Sequence, residues 1–167
     1  MPACIVVMGP SGSGKSFVGA LLAARLAVPF VDADDLHPPE NVAKMSAGVP
    51  LADDDRMPWL DVVGATLSSL DGGGVIACSA LARRYRERIL AVCPAAQFVE
   101  LRVTRDELDG RMRTRQHFMP ASLLESQLAA LEGLESDEPG VVVDNTGDAT
   151  AVVAAIESLL RARQSLR

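Results

Sequence analysis

Residues 3–16 are Ala-Cys-Ile-Val-Val-Met-Gly-Pro-Ser-Gly-Ser-Gly-Lys-Ser, an apolar run followed by a glycine-rich segment. The apolar run, residues 3–8, is typical of a buried strand in a parallel sheet. Residues 15–27 then repeat apolar side chains at helical spacing. The glycine-rich segment therefore joins the end of a predicted strand to the start of a predicted helix.

This segment, Gly9–Ser16, fits the phosphate-loop pattern G-x-x-x-x-G-K-[S/T] at every fixed position. Glycines let the backbone turn its N–H groups toward a phosphate, and the following helix directs its positive end to the same place. Lys15 is expected to reach the β- and γ-phosphates of ATP, and Ser16 to ligate Mg²⁺. The predicted ATP-binding residues of the loop are Gly9, Ser11, Gly12, Ser13, Gly14, Lys15 and Ser16.

Further strands are predicted at residues 30–34, 75–78, 97–101 and 141–144, and helical patterns separate them. Such alternation predicts a three-layer α/β/α fold with a five-stranded parallel sheet. A length of 167 residues suits one domain, residues 1–167. Ligands of such folds bind at the carboxyl ends of the strands, so the residues after each strand are the candidate site.

Composition excludes several broad classes. A net charge of −6 gives no reason to expect nucleic acid or membrane as a partner. The first residues lack a secretory signal, and no apolar run is long enough to span a bilayer. Three cysteines without metal-ligand spacing predict buried free thiols in a reducing cytoplasm.

Among phosphate-loop proteins, a small kinase fits these residues best. Guanine-nucleotide switches use N/T-K-x-D after a late strand, and the segment Asn145–Asp148 lacks that lysine. Mechanical ATPases need an acid closing a strand, whereas the third strand here ends in Ala77-Cys78-Ser79-Ala80. A protein that binds nucleotide as a sensor, without catalysis, remains the alternative.

Two aspartates at the end of the second strand are candidates for the chemistry. Asp32 and Asp34 are two residues apart, which would place both side chains on one face of a strand. Asp34 is predicted to accept the proton of the substrate hydroxyl, and Asp32 to hold Mg²⁺ through water. The alternative is a solvated acidic turn.

The middle of the chain is basic and indicates a small anionic ligand, although solvated helix faces would look the same. Arg111 and Arg115 share a helix face and are predicted to close over the ATP phosphates as part of a lid around residues 111–120. Arg56 could cap a helix or bind a ligand carboxylate. The arginines of residues 83–115 are Arg83, Arg84, Arg86, Arg88, Arg102, Arg105, Arg111, Arg113 and Arg115.

Three longer blocks, residues 32–60, 78–86 and 117–127, closely resemble the gluconokinase family. The resemblance implies ATP-dependent phosphorylation of D-gluconate on its 6-hydroxyl, with related small-molecule kinases (shikimate or nucleoside monophosphate acceptors) as the alternative. It also implies the strand order 2-3-1-4-5 of shikimate and nucleoside-monophosphate kinases, and a homodimer. In one respect the chain departs from the family, because Gln116 stands where a glycine is common. The substrate-binding residues that the resemblance implies are Asp34, His37, Arg56, Ser79, Arg84 and Gln127.

Overall fold

The apolar run that precedes the phosphate loop forms a buried strand. The structure, a computed structural model, describes residues 3–114 and 122–166. Strand β1 (Ala3–Met8) ends directly before Gly9, and helix α1 (Lys15–Leu26) starts at the lysine of the loop. The last three residues of β1 are fully buried. Both faces of the strand are therefore covered, which a continuous apolar run requires.

Strands and helices alternate along the described residues, as the hydrophobic pattern predicts. The remaining strands are β2 (Phe30–Asp32), β3 (Gly73–Ala77), β4 (Ala96–Arg102) and β5 (Gly140–Asp144). The remaining helices are α2 (Pro39–Ser46), α3 (Asp53–Ser69), α4 (Arg83–Val92), α5 (Arg105–Thr114), α6 (Ser122–Ala130) and α7 (Ala149–Ser165). A 3₁₀ helix, Ala33–Leu36, lies between β2 and α2.

The sheet has the order β2-β3-β1-β4-β5, and each pair of neighbours is parallel. This confirms the predicted fold class and strand order. The register sets Val7 of β1 opposite Ala77 of β3 and Val99 of β4. The carboxyl ends of these strands therefore meet at one edge of the sheet, where the phosphate loop begins.

The core consists of two layers, one on each face of the sheet. Val6 and Met8 of β1 pack in the layer that includes Trp59 of α3. Ile5 and Val7 pack in the layer with α1 and α7. Successive side chains of a strand point to opposite faces, so the central strand contributes to both layers.

One arginine of the basic segment is part of the interior. Arg86 is 0% exposed, and Glu138 beside it is 4% exposed. Its Nε and Nη2 donate to the Glu138 carboxylate at 2.6 and 2.9 Å, and its Nη1 donates to the Ala80 carbonyl at 3.0 Å. A solvated helix face, the alternative for these arginines, is therefore wrong for Arg86. The pair ties the loop after β3 to the segment before β5.

The cysteines agree with the expectation of free thiols, with one difference in burial. Cys78 and Cys93 are buried, whereas Cys4 is only partly buried. Burial raises the pKa of the Cys78 thiol to about 12, so this group stays protonated. In the described part of the chain, no helix is both long and apolar enough to cross a membrane.

Candidate active site

The phosphate loop has a backbone that its glycines make possible. Gly12 and Gly14 have φ angles of 83° and 87°, in the left-handed region that other residues rarely adopt. A Cβ on Gly14 would also lie 2.5 Å from the side-chain nitrogen of Asn145. That nitrogen donates to the Ser13 carbonyl at 2.7 Å. Asn145, which follows β5, thus holds the loop in place and leaves no room for a side chain at position 14.

Ser16 and Asp32 meet beside this loop. The Ser16 hydroxyl donates to Asp32 Oδ2 at 2.8 Å. A hydroxyl and a carboxylate are oxygen ligands of the kind that Mg²⁺ prefers. Among the described residues there is no group of three or more His, Cys, Asp or Glu side chains that could hold a metal by themselves. Any cation here would take its other ligands from phosphates and water.

The placement of Asp34 differs from the prediction. Strand β2 ends at Asp32, and Asp34 belongs to the 3₁₀ helix that follows. The argument that both aspartates share one face of a strand is therefore wrong. The cause is local, because Asp32 Oδ1 accepts a hydrogen bond from the Asp34 N–H at 3.0 Å and caps the new helix. Asp34 nevertheless lines the cavity next to the phosphate loop.

This cavity, which we call the acceptor cavity, encloses about 530 Å³ including its open mouth. Lys15 and Ser11 of the phosphate loop form one side of it. Five of the six substrate-binding residues that the family resemblance implies also line it, and they come from different elements. They are Asp34, His37, Arg56, Ser79 and Gln127.

His37 is held in a fixed position at the wall of the acceptor cavity. Its ring stacks on Trp59 with centroids 3.9 Å apart and planes inclined by 17°. Its Nδ1 lies 3.1 Å from the side-chain nitrogen of Asn41. Burial, and next the charge of Arg56, lower the pKa of His37 to about 4. The imidazole is therefore neutral at physiological pH.

Arg56 and Arg84 both donate to the Tyr85 hydroxyl, but they differ in their ion pairs. Arg56 Nη1 donates to the Tyr85 hydroxyl at 2.9 Å and makes no ion pair with the described residues, so its charge is available to the acceptor cavity. Arg84 donates through Nε and Nη2 to Asp53 at 2.8 and 3.1 Å. These hydrogen bonds, with one from Tyr85, lower the pKa of Asp53 to about 2. Arg84 is not among the described residues that line the cavity.

Two predicted residues contact the phosphate loop directly. Arg111 donates to the Gly12 carbonyl at 3.0 Å and to the Asn145 carbonyl at 3.3 Å. Gln127 accepts from the Ser11 N–H at 2.7 Å and donates to the Ser11 hydroxyl at 3.3 Å. Arg115, with residues 115–120 of the predicted lid, lies outside the described residues. Arg111 of α5 and Gln127 of α6 therefore both contact the phosphate loop.

Sequence reasoning did not single out several residues that shape the site. Asn41, Trp59 and Tyr85 hold His37 and Arg56, and Asn145 holds the phosphate loop. Asn41 is a polar residue that is only 2% exposed in the fold. This burial is what marks it as unusual, and it cannot be read from the sequence. Asn41, Trp59 and Tyr85 lie within the blocks of residues 32–60 and 78–86, but their type and spacing alone assign them no role.

Comparison with known proteins agrees with this geometry. The shikimate kinase family model matches residues 11–137. A gluconokinase from Gluconobacter oxydans (strain 621H) is 44% identical over 164 residues, which cover 96% of this chain and 90% of that protein. The thermosensitive gluconokinase of Escherichia coli (strain K12) is 43% identical over 141 residues, 82% of this chain and 75% of that protein.

A solved structure supports the same relationship. The crystal structure of a gluconokinase from Sinorhizobium meliloti 1021 superposes with a TM-score of 0.88 at 45% identity, covering 99% of this chain and 95% of that one. The chain belongs to the gluconokinase family, within the wider group of kinases that the shikimate kinase family model describes.

Proposed function

We propose that this protein transfers the γ-phosphoryl group of ATP to the 6-hydroxyl of D-gluconate, giving 6-phospho-D-gluconate and ADP. The observation that carries the proposal is the acceptor cavity, because Lys15 of the phosphate loop and Asp34 line the same space. The gluconokinase relatives, with 44% and 43% identity, supply the choice of substrate.

The residues of the cavity can be assigned roles by their chemistry. Asp34 accepts the proton of the 6-hydroxyl as its oxygen forms a bond to the γ-phosphorus and the bond to the β-phosphate oxygen breaks. Lys15 and Arg111 stabilise the negative charge that develops on the phosphate oxygens. These three are the proposed catalytic residues.

Gluconate carries one carboxylate and several hydroxyls, and the cavity offers partners for both. Arg56 lines the cavity, makes no ion pair with the described residues, and is the proposed partner of the carboxylate. His37, Ser79 and Gln127 are the proposed partners of the hydroxyls. Arg84 remains a predicted contact that would require the side chain to leave Asp53.

Mg²⁺ is proposed as the metal that accompanies ATP. Ser16 would ligate it directly and Asp32 through water, and the 2.8 Å contact between these two side chains fits that arrangement. When bound, the ion would neutralise phosphate charge and fix the orientation of the triphosphate. The protein itself holds the Ser16 hydroxyl and the Asp32 carboxylate together beside the phosphate loop.

Other expectations from the sequence stay predictions. We propose one kinase domain over residues 1–167, with a lid around residues 111–120 in which Arg115 joins Arg111 over the phosphates. We also propose a homodimer that works in the cytoplasm, with gluconate as its small-molecule partner and without nucleic acid or membrane.

The identity of the product tests the proposal. Purified protein is incubated with Mg²⁺, ATP and gluconate labelled with ¹³C at carbon 6, and the product is analysed by mass spectrometry and NMR. We expect one added phosphoryl group and a phosphorus coupling on carbon 6. The Lys15→Ala variant, which lacks the cation nearest the transferred group, should give almost no product. Phosphorylation at another carbon, or equal product from the variant, would contradict the proposal.

A further inference from the structure

Asn41 is a buried amide that touches the site without lining it. It lies on α2, is 2% exposed, and places its side-chain nitrogen close to two polar atoms. Nδ2 lies 3.0 Å from the Asp55 carbonyl oxygen and 3.1 Å from His37 Nδ1. A carbonyl oxygen can only accept, so the atom facing it must be the NH₂ group of the amide. The orientation of the Asn41 side chain is therefore fixed by its contact with the backbone.

This orientation determines the protonation of His37. The NH₂ group has two hydrogens, one for each neighbour, so His37 Nδ1 must act as the acceptor. A neutral imidazole has one acceptor nitrogen and one N–H, and its proton must then be on Nε2. The ring is neutral because burial and the Arg56 charge both disfavour the imidazolium ion.

The opposite edge of the ring is available to a ligand. Nε2 makes no hydrogen bond with the described residues, and His37 lines the acceptor cavity. The stack on Trp59 keeps the ring plane fixed, and Trp59 is itself held because its Nε1 donates to the Ala33 carbonyl at 2.8 Å. His37 therefore presents an N–H donor in a constant direction.

We propose that Asn41 is a positioning residue that holds His37 in the Nε2–H tautomer, so that His37 donates a hydrogen bond to an oxygen of the acceptor substrate. The inference rests on the proposed function for the identity of that substrate, a hydroxyl-rich carboxylate. A donor at this point favours a hydroxyl or carboxylate oxygen and disfavours a ligand that presents only N–H groups. Asn41 thereby contributes to acceptor selectivity without touching the acceptor.

The tautomer can be measured without turnover. The chain has two histidines, so ¹⁵N NMR of imidazole-labelled protein gives two ring systems, and the His37→Gln variant identifies the one to be assigned. At pH 7 we expect an unprotonated Nδ1 and a protonated Nε2 for His37 in the unmodified protein. A protonated Nδ1 would overturn the proposal, and this holds whether or not the protein phosphorylates gluconate.

The Asn41→Asp variant reverses the hydrogen bond. A carboxylate cannot donate, so His37 Nδ1 should gain a proton, either as the neutral Nδ1–H tautomer or as the imidazolium ion. At pH 9, where the neutral form prevails, Nε2 becomes an acceptor and the KM for gluconate should rise about threefold to tenfold, the effect of one hydrogen bond. The KM for ATP should stay unchanged, because Asn41 does not touch the phosphate loop.

The Ala43→Asp variant is the matched control, because it adds the same charge to an exposed position of the same helix. It should leave both the His37 signals and the KM for gluconate unchanged. An unprotonated Nδ1 in Asn41→Asp, or an unchanged KM for gluconate at pH 9 with Nδ1 protonated, would overturn the proposal. If Asn41→Asp fails to fold, the spectrum of the unmodified protein still decides the tautomer.

Discussion

At the scale of single residues, Asp34 is the residue proposed to accept the hydroxyl proton. It lies in the first turn of the 3₁₀ helix, and its backbone is anchored by Asp32. Asp34→Asn keeps the size of the side chain and removes its basicity. We expect kcat to fall by about 10²- to 10⁴-fold, as for other general bases, while the Kd for ATP changes little.

Initial rates and ATP titration measure these two quantities. Asp35→Asn is the control, since Asp35 is the exposed neighbour in the same helix. Equal losses of kcat and of ATP affinity in Asp34→Asn would assign the residue to structure or to the metal instead.

Arg56 and Arg84 allow a comparison between two arginines that donate to one tyrosine hydroxyl. Arg56→Met removes the guanidinium that faces the acceptor cavity. A charge-assisted hydrogen bond contributes about 1.5–3 kcal/mol, so the KM for gluconate should rise by roughly 10- to 100-fold. Arg84→Met should have a smaller effect, because Arg84 is paired with Asp53. If Arg84→Met raises the KM for gluconate more than Arg56→Met does, Arg84 and not Arg56 would be the partner of the carboxylate.

His37 should make the stability of the protein depend on pH in a definite window. Its pKa is about 4 in the folded chain, against an ordinary value of 6.5, so the unfolded chain binds more protons between these values. The free energy of unfolding should therefore decrease as the pH falls from about 6.5 to about 4.

The His37→Phe variant retains a ring over Trp59 and cannot titrate. Urea unfolding is measured at several pH values. As the pH falls, the free energy of unfolding should decrease less for this variant than for the unmodified protein. Parallel pH profiles would mean that His37 is not a neutral buried group.

At the scale of elements, the buried pair of Arg86 and Glu138 connects α4 to the segment before β5. Arg86→Met leaves the Glu138 charge buried without its partner, which typically costs about 3–5 kcal/mol of stability. Arg88→Met is the control on the same helix, because its partner Asp61 is 38% exposed and Arg88 is 46% exposed. Such exposed pairs contribute about 0–1 kcal/mol.

Urea unfolding measures both changes, and the double variant Arg86→Met/Glu138→Met is measured beside them. We expect the double variant to be more stable than Arg86→Met alone, because it no longer buries an unpaired charge. Similar losses for Arg86→Met and Arg88→Met would show that burial does not distinguish the two arginines.

Most elements could be predicted from the sequence because their signals are local. The apolar run of residues 3–8 indicates β1, and the motif Gly9–Ser16 indicates the loop that follows it. Likewise, Thr104 and Glu107 have the spacing of a capping box, and they form its pair of hydrogen bonds at the start of α5. The end of β2 could not be predicted, since it depends on whether Asp32 caps a helix or continues a strand. Asp32 suits either outcome, so the sequence pattern alone does not show which one occurs.

At the scale of the whole molecule, the acceptor cavity is built from segments that are distant in the chain. Lys15, Asp34 and Ser79 come from the segments after β1, β2 and β3, and they meet because parallel strands end at one edge of the sheet. This meeting follows from the fold class and could be predicted. Pairings such as Arg84 with Asp53 and Asn41 with His37 could not, because they depend on helix packing and burial.

The rate of ADP release with different acceptors tests the account most directly. In a coupled assay with Mg²⁺ and ATP, gluconate is compared with other sugar acids, shikimate and nucleoside monophosphates at equal concentration. We expect gluconate to give the highest kcat/KM, and ADP release without an acceptor to be negligible. A higher kcat/KM for shikimate or a nucleoside monophosphate, or ADP release that no acceptor stimulates, would contradict the assignment of the cavity to gluconate.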